Sequence, residues 1–117
     1  MKDDEGGRLA LAAVDGGGVR ALASLDRVIH EPSRLIIASI LYAAESADFL
    51  FLLRETTLTK GNLSAHLARL EEAGYVKIDK TYRGKIPQTT CRLTEAGRAA
   101  FREYRAQLKR AVDSLPE

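Results

Sequence analysis

The sequence predicts a mainly α-helical domain that carries one small β-hairpin, and three observations lead there. Within TLTKGNLSAHLARLEEAGYV (residues 57–76), Leu63, Leu67 and Leu70 recur at i, i+4 and i+7, the spacing of an amphipathic helix. After Gly74 the period drops to 2: Val76 and Ile78 alternate with Lys77 and Asp79, and Thr89–Leu93 alternates about Cys91, the pattern of two half-buried strands. With four Tyr, three Phe and no Trp in 117 residues, the core must be built from Leu, Ile, Val and Ala, which favours helices.

Taken in order, residues 1–19 read as a flexible tail. The stretch RLALAAVDGGG invites comparison with a strand entering a phosphate-binding loop, but Gly16, Gly17 and Gly18 do not make GxGxxG and no βαβ unit follows. The folded domain is expected over 20–117. Ser24 suits the cap of a short helix over Leu25–His30. Pro32 suits the first turn of the next, which runs through SRLIIASILYAAES with Leu35, Ile36, Ile40, Leu41 and Ala44 along one side and Ile37 widening it. So broad a stripe belongs to a largely buried helix. A third, about Phe49–Arg54, is expected to turn Leu50 and Leu53 inward.

Thr59 is a good N-cap for the quoted helix, and the three leucines place its core face. Gly61, Asn62, Ala65, Ala68, Arg69 and Glu72 then point away, with Lys60, Ser64 and His66 on the flanks. Gly74 supplies the left-handed residue that stops it. Between the strands, TYRGKIPQ (81–88) is a basic hairpin tip, where Pro87 is tolerable because the second strand has scarcely begun and lies at an edge. Thr94 caps a last helix over about 95–114, with Phe101, Tyr104, Leu108, Ala111 and Leu115 on one seam. That seam needs either the first helices or a second subunit to cover it.

Composition bounds the function. One cysteine, Cys91, excludes an intrachain disulfide and a thiolate metal site, and its place in a strand is that of a core residue. His30 and His66 are the only histidines, His30-Glu31-Pro32 is not HExxH, and no nucleophile has a base and an orienting acid. No enzyme activity, cofactor or metal is expected. No apolar run approaches the roughly 20 residues of a membrane span, and the acidic start MKDDEGG is unlike a secretory signal, so a cytoplasmic protein is expected. The net charge is only +2, but Arg54–Arg92 holds eight basic residues against four acidic ones, a local field that attracts a polyanion.

The order helix, helix, short helix, helix, hairpin, helix is that of a winged helix-turn-helix domain, in which the second helix of the pair enters the DNA major groove by its amino end. There Gly61 lets backbone approach phosphates or the groove wall, and the positive end of the helix dipole favours the anion. The segment LTKGNLSAHLARLEEAGYVKIDKTYRGKIPQTTCRLTEAGRAAF resembles the small winged-helix regulators related to the MarR and ArsR groups, with Cys91 where a tyrosine is usual. The resemblance covers roughly Ser24–Leu115.

It implies a homodimeric DNA-binding transcriptional regulator paired through terminal helices, with a pseudo-palindromic operator. It also implies groove or phosphate contacts from Thr59, Lys60, Asn62, Ser64, His66 and Arg69, and from Tyr82, Arg83, Lys85 and Gln88 of the wing. Lys60, Arg83 and Lys85 suit phosphates, Asn62 or Gln88 an adenine edge, and Arg69 a guanine. Arg69 suits a pair with Glu71 or Glu72 equally well, and His66 a packed helix position. Phe101, Tyr104 and Leu108, with Leu22 and Leu25, are the expected dimer seam. The metal-binding Cys and His sets of ArsR-like proteins are missing, which leaves a small-molecule effector or none. The competing reading is a winged-helix protein-interaction module that does not bind DNA.

Overall fold

The structure, a computed structural model, describes residues 16–117. In chain order its elements are α1 (Gly16–Ser24), α2 (Pro32–Ala43), β1 (Ala47–Asp48), α3 (Phe49–Thr56), α4 (Lys60–Glu72), β2 (Val76–Arg83), β3 (Ile86–Leu93) and α5 (Glu95–Asp113). Two compact units divide the chain: residues 26–102, and the residues up to 25 together with 103–117. Of the tail expected over 1–19, residues 1–15 lie outside the described residues. Residues 16–19 belong to α1 instead.

The terminal unit holds α1 and the last part of α5. Ser24 does not cap a helix over Leu25–His30; it ends α1, its hydroxyl donating back to the Arg20 carbonyl at 3.0 Å. In the unit 26–102 the next residues form a turn, because the Asp26 carboxylate captures the amides of Val28 (2.9 Å) and Ile29 (3.2 Å) and accepts the Tyr75 hydroxyl at 2.5 Å. A short aspartate that binds the amides two and three residues on competes with helix formation.

Glu31 caps α2 by accepting the Arg34 amide at 2.8 Å, with Pro32 in the first turn as expected. The buried stripe of α2 is Ile37, Ala38 and Leu41, while Ile36 is 46% exposed. Five apolar residues in LIIASI leave its phase open to the sequence. The free carbonyls at its end are taken by Arg98, whose guanidinium donates to Leu41, Tyr42 and Ala44 at 3.4, 3.2 and 3.3 Å, satisfying a helix end that has no partners of its own. The same guanidinium lies over the Tyr42 ring, 5.3 Å from its centroid, and Phe101 stacks on that ring at 4.8 Å.

In α3, Leu53 packs against the core as expected, but Leu50 is 56% exposed and Leu52 is the fully buried residue. The helix is apolar all round for its first five residues, and only packing chooses its face. In α4 the pattern held: Leu63, Leu67 and Leu70 are 0, 2 and 0% exposed, and the Thr59 side chain accepts the Asn62 amide at 3.1 Å.

The sheet has three antiparallel strands in the order β1-β3-β2. β1 is too short to show a period in the sequence; it pairs Ala47 with Cys91 and Asp48 with Thr90. β2 and β3 pair throughout, from Val76↔Leu93 to Arg83↔Ile86. The turn is therefore only Gly84-Lys85, and most of the expected 81–88 loop is strand. Gly84, at φ 67°, fits a two-residue type II′ turn, which takes glycine at its first position. β3 is the middle strand rather than an edge. Pro87 is tolerated because β1 reaches only Thr90 and Cys91, leaving β3 one free side at the proline.

The junction of hairpin and last helix is tight. Thr94 caps α5 through the Gly97 amide (3.0 Å) and donates its hydroxyl to the Gly74 carbonyl (2.6 Å), while its amide binds the Tyr75 carbonyl at 2.9 Å. A Cβ on Gly97 would lie 2.1 Å from the Tyr75 carbonyl oxygen, and neither backbone can yield without breaking these bonds. Gly97→Ala is therefore expected to lower stability by about 3 kcal/mol, read as a drop in the urea unfolding midpoint. An unchanged midpoint would contradict the close approach.

Candidate nucleic-acid interface

Burying the three leucines sets the rotation of α4 about its axis. Lys60, Gly61, Asn62, Ser64, Ala65, Ala68 and Arg69 are left exposed, the face that the leucine spacing indicates. Nothing lies within 4 Å of where a Gly61 Cβ would stand, so within the chain no contact requires glycine there. The turn from α3 passes through Thr57, at φ 56°, a left-handed conformation that a β-branched residue adopts at a cost of about 1–2 kcal/mol. Its hydroxyl donates to the Thr56 carbonyl at 2.6 Å, and the buried Thr56 hydroxyl donates to the Leu52 carbonyl at 2.6 Å.

His66 has partners within the chain. Its Nδ1 lies 3.2 Å from Arg34 Nη1 and 3.6 Å from Glu31 Oε2, tying the middle of α4 to the start of α2. Arg34 is the hub of this tie: Nε donates to the Val28 carbonyl and Nη2 to that of Arg27 at 3.3 Å. Arg69 Nη1 stands 3.8 Å from Glu72 Oε2 with both groups exposed, a pair of little energy that a polyanion can displace.

The hairpin carries the rest of the expected set. Tyr82 is 74% exposed, Arg83 and Lys85 are exposed, and Gln88 is half-buried. Asp79 sits 3.9 Å from both Lys77 and Arg92. Among the described residues no carboxylate stands within salt-bridge distance of Lys60, Lys80, Arg83 or Lys85. Two further residues join this surface. Lys80 lines a hollow of about 330 Å³ with Ser64, Ala68 and Glu71 of α4, and Ile86 is 71% exposed beside the turn. Only the strand register brings Lys80 to α4, and a lone isoleucine after a turn carries no signal.

Of the expected dimer seam, Leu25, Phe101 and Tyr104 are 3, 9 and 2% exposed in the single chain. They are already covered, Phe101 by Tyr42 among others. Leu22 and Leu108 are half-buried, and Val112 and Leu115 are exposed. Cys91 is fully buried, and burial, followed by the charges of Asp48, Glu71 and Asp79, pushes its thiol up to about 11. It is a core residue that stays protonated. Among the described residues no group of His, Cys, Asp and Glu could hold a metal, and no helix is long and apolar enough to cross a membrane.

A helix pair joined by a tight turn, an outward second helix and a basic two-stranded ribbon behind it define a winged helix-turn-helix. The chain belongs to the winged helix DNA-binding domain family, whose profile matches residues 33–112. It is 35% identical over 79 residues to an uncharacterized protein of Methanocaldococcus jannaschii, covering 67% of this chain and 85% of that one. Its fold is similar to a transcriptional regulator homologue from Pyrococcus horikoshii OT3 (TM-score 0.76, 28% identity, 80% of this chain and 95% of that one). It is also similar in fold to the oxidized form of MarR from E. coli (TM-score 0.60, 20% identity, 94 and 82%). The chain is a DNA-binding transcriptional regulator of the winged-helix type and not an enzyme.

The tie between α2 and α4 responds to pH. Burial raises the pKa of Glu31, but the Arg34 and Ser33 amides and the charges of His66 and Arg34 outweigh it, holding the carboxyl below its usual 4.5. A carboxylate with a depressed folded pKa stabilises the fold above its unfolded pKa, and that stability disappears as pH falls through the folded value. Glu31→Gln is expected to cost about 1 kcal/mol at neutral pH. The gap from wild type should close as pH drops below 4.5, as read from urea midpoints at several pH values. A gap independent of pH would exclude the ionised carboxylate as its source.

Proposed function

We propose that the protein is a sequence-specific regulator that binds duplex DNA as a homodimer, with α4 in the major groove and the β2–β3 wing on the backbone or minor groove. The observation that carries this reading is the exposed amino-terminal face of α4. Its leucines lock the helix outward, Gly61 meets nothing inside the chain, and Lys60 has no acidic partner among the described residues. Thr59, Lys60, Gly61, Asn62 and Ser64 are the proposed groove and phosphate contacts at that end, with Arg69 further along. Tyr82, Arg83, Lys85 and Gln88 are those of the wing. His66 acts through position, holding α4 to α2, and touches no base.

Dimerisation is assigned to the terminal unit. Since Leu25, Phe101 and Tyr104 are covered within the chain, the seam proposed is Leu22 and Leu108 with Val112 and Leu115. A two-fold dimer would then meet half-sites about 34 Å apart, in a pseudo-palindrome.

The test is binding of purified protein to genomic DNA fragments at two salt concentrations. Selective, salt-sensitive binding is expected, and it should be lost in an Arg83→Ala, Lys85→Ala double variant. Gly61→Ala should raise stability by about 0.5–1 kcal/mol while weakening DNA binding. No binding by the folded wild type at low salt would favour the protein-interaction module. For the seam, sedimentation should show a dimer at micromolar concentration and a monomer for Leu108→Glu; a wild-type monomer would overturn it.

A further inference from the structure

The two most exposed large apolar side chains among the described residues, Tyr82 (74%) and Ile86 (71%), lie within five residues of each other at the wing tip. Neither has a folding role there. Core packing in the hairpin ends at the rung Ile78↔Cys91, five residues before Arg83. At about 3.3 Å per residue the tip stands some 16 Å beyond it. Over Ile86–Thr89 the ribbon is only two strands wide, because β1 stops at Thr90.

The register assigns each side chain a face. Tyr82 pairs with Pro87 on the face that continues the core, and Arg83 pairs with Ile86 on the other. Lys85 completes the turn. The tip therefore presents an aliphatic group beside a guanidinium and an ammonium, none of the cations having an acidic partner among the described residues. A surface both apolar and unneutralised in charge requires a partner that is anionic outside and apolar within. The minor groove of duplex DNA is such a partner: phosphates along the rims, deoxyribose on the walls and stacked bases as the floor, in a slot about 6 Å wide.

Building on the DNA-binding reading above, we propose that the wing tip is a wedge: Arg83 and Lys85 seat it on the phosphates, and Ile86 enters the minor groove and partly unstacks a base step, bending the operator. Apolar wedges of this kind bend DNA by roughly 20–90°. Pyrimidine–purine steps deform most readily, so the wing contributes sequence preference at a position where it makes no base hydrogen bond. An acidic protein partner would satisfy the charges, but would not require a tip only two strands wide.

The experiment uses the full chain and a duplex recovered from the genomic selection, end-labelled for energy transfer, with 2-aminopurine substituted at each pyrimidine–purine step in turn. Wild type is expected to shorten the end-to-end distance and to raise 2-aminopurine emission at one step per half-site. Ile86→Ala, whose side chain is exposed and whose fold is therefore undisturbed, should lose both signals and bind about tenfold more weakly, with an unchanged salt dependence. Arg83→Ala should instead reduce the salt slope by about 1. Wild type bound to a straight, fully stacked duplex, or Ile86→Ala indistinguishable from wild type, would overturn the wedge while leaving DNA binding intact. Failure of wild type to bind any duplex would overturn both readings together.

Discussion

The burial of Leu63, Leu67 and Leu70 is the constraint on which the interface depends. The three side chains lie within about 60° of one another around the helix, and each is removed almost wholly from water. Their burial contributes roughly 5–9 kcal/mol relative to exposure. Rotating α4 by one residue, about 100°, would forfeit most of that and leave a polar side chain in the core. One apolar stripe thus fixes which surface the helix offers to a partner. That surface is small and polar at its amino end, where the backbone amides and the helix dipole already favour an anion.

Around α4 the rest of the unit 26–102 supplies restraint. Arg34 and Glu31 hold His66 in the middle of the helix, the Thr56–Thr57 turn fixes its entry, and Gly74 at φ 80° fixes its exit. Behind it, Thr94 and Gly97 bring the first turn of α5 onto the Tyr75 backbone. Arg98 ties that turn to the end of α2. Thus two arginines neutralise helix termini and turn carbonyls rather than facing outward. Within Arg54–Arg92, Arg69, Lys77 and Arg92 have acidic neighbours among the described residues, and Lys60, Lys80, Arg83 and Lys85 do not.

The hairpin shows the opposite balance. Its base belongs to the core through Val76, Ile78, Cys91 and Leu93, whereas its outer half keeps full strand pairing with almost no burial. Backbone pairing and a glycine turn keep it extended, so its side chains need not satisfy packing. Residues there are free to be chosen for what they touch. That freedom explains how Tyr82, Arg83, Lys85 and Ile86 can sit together at one exposed point.

The sequence by itself determined α4, its caps and its exposed face, because helical period, Thr59 and Gly74 are local signals that packing then reinforced. It also determined the hairpin, the α5 cap at Thr94 and the basic tip. The phases of α2 and α3 were decided by tertiary structure, since LIIASI and FLFLL are apolar all round and only neighbouring elements choose a side. The turn after α1 follows from Asp26 reaching Tyr75, a contact 49 residues apart. β1 exists only because Cys91 and Thr90 lie beside it. Tertiary packing likewise covered Leu25, Phe101 and Tyr104, and drew His66 to Arg34 and Glu31. Those outcomes rest on long-range contacts, and no local period or cap in the sequence encodes them.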